Sequence, residues 1–182
     1  MDVLSDVLRT VRLTGAVYFL VEARAPWEIA MPDGATLAPA VLPGAQRVIS
    51  YHVITDGACW GRLLPDGAPT RLEAGDVLVF PHGDPYVMSI GRDRGGGPPA
   101  AEVVEFMRAM ARGHLPFRVV EDGGGADALH LVCGFLACDV RPYNPLLATL
   151  PRLLHVRRAG ADAGDPLGRL LDLTLGESRQ TR

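Results

Sequence analysis

Between Ala16 and Ile90 the chain is cut into apolar runs that never reach helix length. AVYFLVEA, PWEIAM, RVISYHVI, ACWGRLL, DVLVF and YVMSI are rich in Val, Ile, Tyr and Phe, and clusters containing Pro or Gly separate them. β-branched and aromatic side chains pack well on a pleated surface, while Gly and Pro supply the dihedral angles of reversals, so these runs predict strands joined by turns. Asp56 and Gly57, between two of the runs, predict a tight two-residue hairpin. A second turn at Pro65, Asp66 and Gly67 leads to strands around Gly75 and Gly83. Further on, ALHLVCGFLACDV reads as a buried strand, with Gly134 as a bulge or a point of close packing.

Helical spacing is confined to the two ends. Val3, Leu4, Val7, Leu8 and Val11 form one stripe of a short amphipathic helix that Gly15 ends. NPLLATLPRLLHV and DPLGRLLDLTLGE read as helices, the second with Asp165 as N-cap and Pro166 at its first position. GRDRGGGPPAAE, residues 91–102, is a loop or flap, and EVVEFMRAM fits a short helix or a strand equally well. Many short strands followed by helices predict a mostly β protein: a closed or nearly closed antiparallel barrel over residues 1–140 and a helical segment over 141–182.

The chemistry of the whole chain excludes several classes. At 182 residues, 48% hydrophobic and 21% charged, the chain can bury one good core. A net charge of -3, from 18 basic and 21 acidic residues, gives no footprint for a polyanion, so direct binding of nucleic acid is not expected. No apolar run approaches the roughly 20 residues that span a bilayer, and the N-terminus carries acids where a secretory signal carries bases, which predicts a cytoplasmic protein without membrane contact. Cys59, Cys133 and Cys138 are an odd number and are expected to be reduced. No Walker-type phosphate loop, no Gly-x-Ser-x-Gly and no CxxC is present.

The most specific pattern runs Gly75, five residues, Pro81, one residue, Gly83, two residues, Tyr86, three residues, Ile90. It resembles the second motif of the cupins, in which a His and an Asn occupy the last two places. Anchoring the first cupin motif on Gly57 puts Ser50 at the Glu position, Gln46 near the second His and Gly44 or Ala45 close by. The turn-forming residues match while the usual metal ligands do not. VLRTVRLTGAVYFLVEARAPWEIAMP, YHVITDGACWGRL, LEAGDVLVFPHGDPYVM and LVCGFLACD followed by NPLLATLPRLLHV, in that order, are similar to the cupin-type N-terminal domain of AraC-family transcription regulators. The resemblance covers roughly the whole chain. It implies a cupin-like jelly roll that senses a ligand and pairs with a second copy, and DNA contact only through a helix-turn-helix domain that this sequence, stopping at ESRQTR, does not include.

Alternation along RVISYHVI puts Ser50, His52 and Ile54 on one face, and the hairpin would set Cys59 opposite Ile54. With Ser50 turned inward, the expected binding cluster is Ser50, His52, Cys59, His82 and Tyr86 in a barrel otherwise lined by aliphatic side chains. His52 and Tyr86 as hydrogen-bonded core residues are an equal alternative. The expected cofactor is none, with a displaced zinc site drawn from His52, His82, Cys59 or Cys133 as the minor alternative. Trp60 falls on the opposite face with Val53. The leading expectation is a non-enzymatic domain that binds a small effector; the competing one is a metal-dependent cupin enzyme of dioxygenase or isomerase type. Leu146, Leu147, Leu150, Leu153, Leu154, Leu167, Leu170, Leu171 and Leu175 exceed what one small barrel needs, which predicts a homodimer through the C-terminal helices.

Overall fold

The computed structural model describes residues 13–91, 99–113, 117–138 and 145–157. It is a curled, mostly β half-barrel. The first strands are β1 (Leu13–Arg24), β2 (Trp27–Met31), β3 (Arg47–Leu63), β4 (Thr70–Glu73) and β5 (Val77–Phe80). Four more follow: β6 (Tyr86–Ile90), β7 (Phe117–Asp122), β8 (Ala128–Cys138) and β9 (Leu154–Val156). Three helices, α1 (Gly34–Val41), α2 (Ala100–Ala111) and α3 (Pro145–Thr149), complete it. The main path of the sheet is β2-β6-β3-β8-β1-β7, and the pairing is antiparallel everywhere except between β1 and β7, which run parallel. The expected antiparallel barrel is therefore a mixed one, because β7 returns along β1 after the α2 crossover.

β3 organises the rest. Its first half pairs with β5 on one side and β8 on the other, and its second half with β4 and β6. The hairpin expected at Asp56 and Gly57 is absent: the strand continues through both residues. Thr55 is instead the extra residue of a bulge, since the ladder with β8 steps from Ile54 opposite Leu131 to Asp56 opposite His130. Gly57 takes a φ of 79°, and a Cβ there would lie 2.1 Å from the carbonyl oxygen of Ala128. An inserted residue shifts the alternation by one, so Ser50, His52 and Ile54 and then Cys59, Gly61 and Leu63 all turn to the same interior. Cys59 reaches the inside by this bulge and not by a reversal. Trp60 faces outward, where Arg71 lies over its ring at 6.0 Å.

Gly134 is a site of close packing: β8 passes it in regular register, and a Cβ would meet the Val17 carbonyl oxygen at 2.3 Å and the Tyr51 hydroxyl at 2.7 Å. α1, which the sequence reading passed over, starts where the Asp33 carboxylate accepts hydrogen bonds from the backbone N–H groups of Ala35 and Thr36, both at 3.0 Å. Its Leu37, Ala38, Ala40 and Val41 are buried. EVVEFMRAM lies within the helix α2, whose Val103, Met107 and Met110 recur at helical spacing and face the core.

NPLLATLPRLLHV gives only the short α3 and then β9, which pairs with β5 through Leu154 opposite Val79. The helix stops at Thr149, two residues before Pro151, whose missing backbone N–H disfavours carrying it further. Leu153 packs against the barrel core. The N-terminal helix expected over residues 3–11, most of the 91–102 loop and the helix expected over 165–177 lie outside the described residues. No helix among the described residues is long and apolar enough to cross a membrane.

Candidate functional site

The corner between β5 and β6 sets the site. Gly75 and Gly83 take φ values of 96° and 66°, dihedral angles that only glycine adopts without strain, and a Cβ at Gly83 would lie 2.8 Å from the Val48 carbonyl oxygen. The chain leaves this corner at Tyr86, opposite Met31 of β2 and Leu63 of β3, with its side chain turned inward and 1% exposed. His52 comes from β3, opposite Leu78 and Cys133. The two meet in the interior: the His52 Nε2 and the Tyr86 hydroxyl are 2.8 Å apart. Phe80 stacks on the Tyr86 ring at 3.8 Å between centroids, and Ser50 hydrogen-bonds the same phenol.

Burial decides the protonation of this group. It pulls the His52 imidazole down to about 3 and pushes the Tyr86 phenol up, so at neutral pH both are uncharged. A neutral imidazole has one N–H and one lone pair; Nε2 is satisfied by Tyr86, and Nδ1 is buried with no partner among the described residues.

Above this pair opens a small, partly open apolar cavity. His52, Tyr86 and Cys133 form part of its wall, and strands β1, β2, β6, β7 and β8 supply most of the remainder. α2 covers one side with Phe106, Met107 and Met110. Four of the five methionines of the chain, Met31, Met88, Met107 and Met110, line this space. Thioether side chains adapt their shape and are polarisable, which suits an apolar guest. Trp27 stands in the wall with its indole Nε1 buried and without a partner among the described residues. Glu121 is the charged residue of the lining among the described residues.

The expected cluster therefore divides. Ser50, His52 and Tyr86 come together, and His52 and Tyr86 reach the cavity. Cys59 is buried beside Leu72, on the part of β3 past the bulge. His82 stands apart at the corner, where its Nε2–H donates to the Leu150 carbonyl at 2.9 Å. His130 and His155 lie 3.2 and 2.9 Å from the carboxylates of Asp56 and Asp76. The sequence reading missed Trp27, Glu121 and the α2 side chains, since nothing in their spacing tells that β2, β7 and α2 close on the same space.

The sequence matches the family described as Cupin over residues 2–182. The chain is a cupin. No curated protein matches it. The metal that many cupins carry does not fit the residues of this one. Its motif positions hold Ser50, Tyr86 and Ile90, and no group of three or more His, Cys, Asp or Glu among the described residues is placed to hold an ion. The zinc alternative drawn from His52, His82, Cys59 and Cys133 finds no converging set in this cupin.

Proposed function

We propose that this cupin is the ligand-sensing and dimerisation domain of an AraC-type transcription regulator, binding a small effector inside the barrel. The observation that carries the reading is the apolar cavity with the uncharged His52–Tyr86 pair in its wall, at the place where a metal-binding cupin puts a ligand His. A few polar groups in a mostly apolar pocket suit the binding and orientation of a small guest. The similarity of the strand order and of the Gly75–Ile90 pattern to the N-terminal domains of that regulator family supports the same reading. Pairing of two copies through helices after the barrel belongs to the proposal, with DNA reached only through a helix-turn-helix domain on the same regulator.

A thermal-shift screen of small, mostly apolar compounds on the purified chain tests it. Compounds that raise the melting temperature of the native chain are expected to lose that effect in Met107→Trp, which fills the cavity from α2. Turnover of a small substrate upon addition of iron or manganese, lost in His52→Gln, would overturn the sensing reading in favour of an enzyme.

A further inference from the structure

The cavity above His52 and Tyr86 shows a guest almost no polar surface. Trp27 Nε1 and His52 Nδ1 belong to residues of its wall, but both atoms are buried out of reach. Met31, Met88, Met107 and Met110 make up much of what remains. The room inside is narrow, about 30 Å³. One water needs at least about 10–15 Å³ and an engineered void that holds benzene measures about 150 Å³, so this space takes about two groups of methyl size and no ring. Nor is the cavity closed. Phe106 belongs to its lining and is nonetheless 39% exposed, which places this ring at the mouth, between the interior and solvent.

Width and chemistry together select a guest. A hydroxyl, an ammonium or a carboxylate pushed into this space would lose its hydration and find no exposed partner. A hydrocarbon end has no hydrogen bond to lose, and each methylene taken from water tightens binding about fourfold. From the narrow apolar interior and the exposed ring at its mouth, we propose that the effector of this cupin carries an unbranched alkyl chain whose last carbons enter the cavity. The next part of the chain runs out over Phe106, and any polar group stays in water. Methionine side chains, having three rotatable bonds, close around the chain end wherever it stops. This proposal rests on the barrel being an effector site, and deepens that reading by naming the chemical class.

The test uses three six-carbon alcohols on the full 182-residue chain. Hexan-1-ol has one apolar end, hexane-1,6-diol has a hydroxyl at both ends, and cyclohexanol closes the same carbons into a ring. Methyl groups of carbon-13-labelled methionine report on the cavity, because four of the five methionines line it, and single Leu replacements assign their signals. Hexan-1-ol is expected to shift the Met31, Met88, Met107 and Met110 signals saturably, and the diol and the ring to bind about tenfold more weakly. Phe106→Ser is expected to weaken hexan-1-ol about fivefold through lost apolar contact at the mouth. Equal affinity for the diol would overturn the apolar chain end, equal affinity for cyclohexanol would overturn the unbranched chain, and unchanged affinity in a folded Phe106→Ser would overturn the path over that ring; each leaves the barrel as an effector site. The titrations are made on the native chain, so they decide the matter even if Phe106→Ser folds poorly. No saturable shift from any of the three, while other compounds in the thermal-shift screen stabilise the chain, would overturn the alkyl class alone. No binding in either assay would overturn the sensing reading with it.

Discussion

His52 is an imidazole held away from water by Phe80, Tyr86 and the strands on either side of β3, and its protonation ties the stability of the fold to acidity. Its value near 3 in the folded chain lies below the 6.5 of an exposed imidazole. Between those two limits the unfolded chain takes up a proton that the folded chain refuses. Stability is therefore full above pH 6.5 and falls as the pH drops toward 3, by about 2 kcal/mol between pH 7 and pH 5. Urea titrations at pH 7, 6 and 5 are expected to show this slope in the native chain and a flatter one in His52→Gln. Asp33, whose carboxyl is lowered by its hydrogen bond to Thr36, begins to lose its contribution only as the pH falls through the ordinary carboxylate value of 3.8, below the pH 5–7 range of these titrations. At this scale the sequence was informative where alternation alone decides: Ser50, His52 and Tyr86 follow from period two and from the Gly75–Pro81–Gly83 spacing. It was silent on Trp27 and Glu121, whose meaning depends on which distant strands share a wall.

At the scale of elements, the lesson lies in Asp56–Gly57. An Asp-Gly pair between apolar runs satisfies a hairpin and equally satisfies a bulge with glycine in the left-handed region, and what separates the two is the partner of the following residues. Here β8, more than seventy positions downstream, claims Ile54 to Gly57, and no local signal announces it. α1 escaped for the opposite reason: its eight residues contain Pro39 and follow Pro32 and Asp33, so composition reads as a loop while the Asp33 cap and the burial of Leu37 and Val41 make a helix. Gly57→Ala is expected to cost about 1–3 kcal/mol from backbone strain alone, with a further loss from the clash with the Ala128 carbonyl. Gly44→Ala, also at positive φ but with open space around it, is expected to show the strain without the clash. Chemical denaturation of the two variants side by side measures the difference.

Across the whole molecule, residues 150–156 are strapped to the barrel near the corner that delivers Tyr86. His82 donates to the Leu150 carbonyl, Arg152 holds Asp84 at 2.6 Å, and His155 donates to Asp76 at 2.9 Å. The last pair is the more buried, at 14% and 12% exposure, and the Arg152 pair, with its guanidinium largely in water, contributes little to stability. Replacing His155 with Phe is expected to speed amide hydrogen exchange at Leu154–Val156 and at the facing Val77 and Val79. Exchange along β1 and β8 should stay as in the native chain. Equal acceleration in all four strands would mean that the strap is part of one global unit.

The long strand β3 has a kinetic side as well. Because Arg47–Leu63 belongs to both halves of the half-barrel, neither half can complete its edge pairing until this one segment is extended and in register. Its neighbour β5 lies close in sequence and can join early, but β8, and β1 across β8, must be brought in over much longer loops. Proteins dominated by such distant pairings fold slowly, in milliseconds to seconds, because the entropy of closing the loop is lost before the contacts compensate for it. Docking of β8 onto β3 is therefore expected to limit the rate: in stopped-flow experiments, weakening the Tyr51–Gly134 close approach should slow refolding, whereas loosening the β2–β6 edge should chiefly speed unfolding.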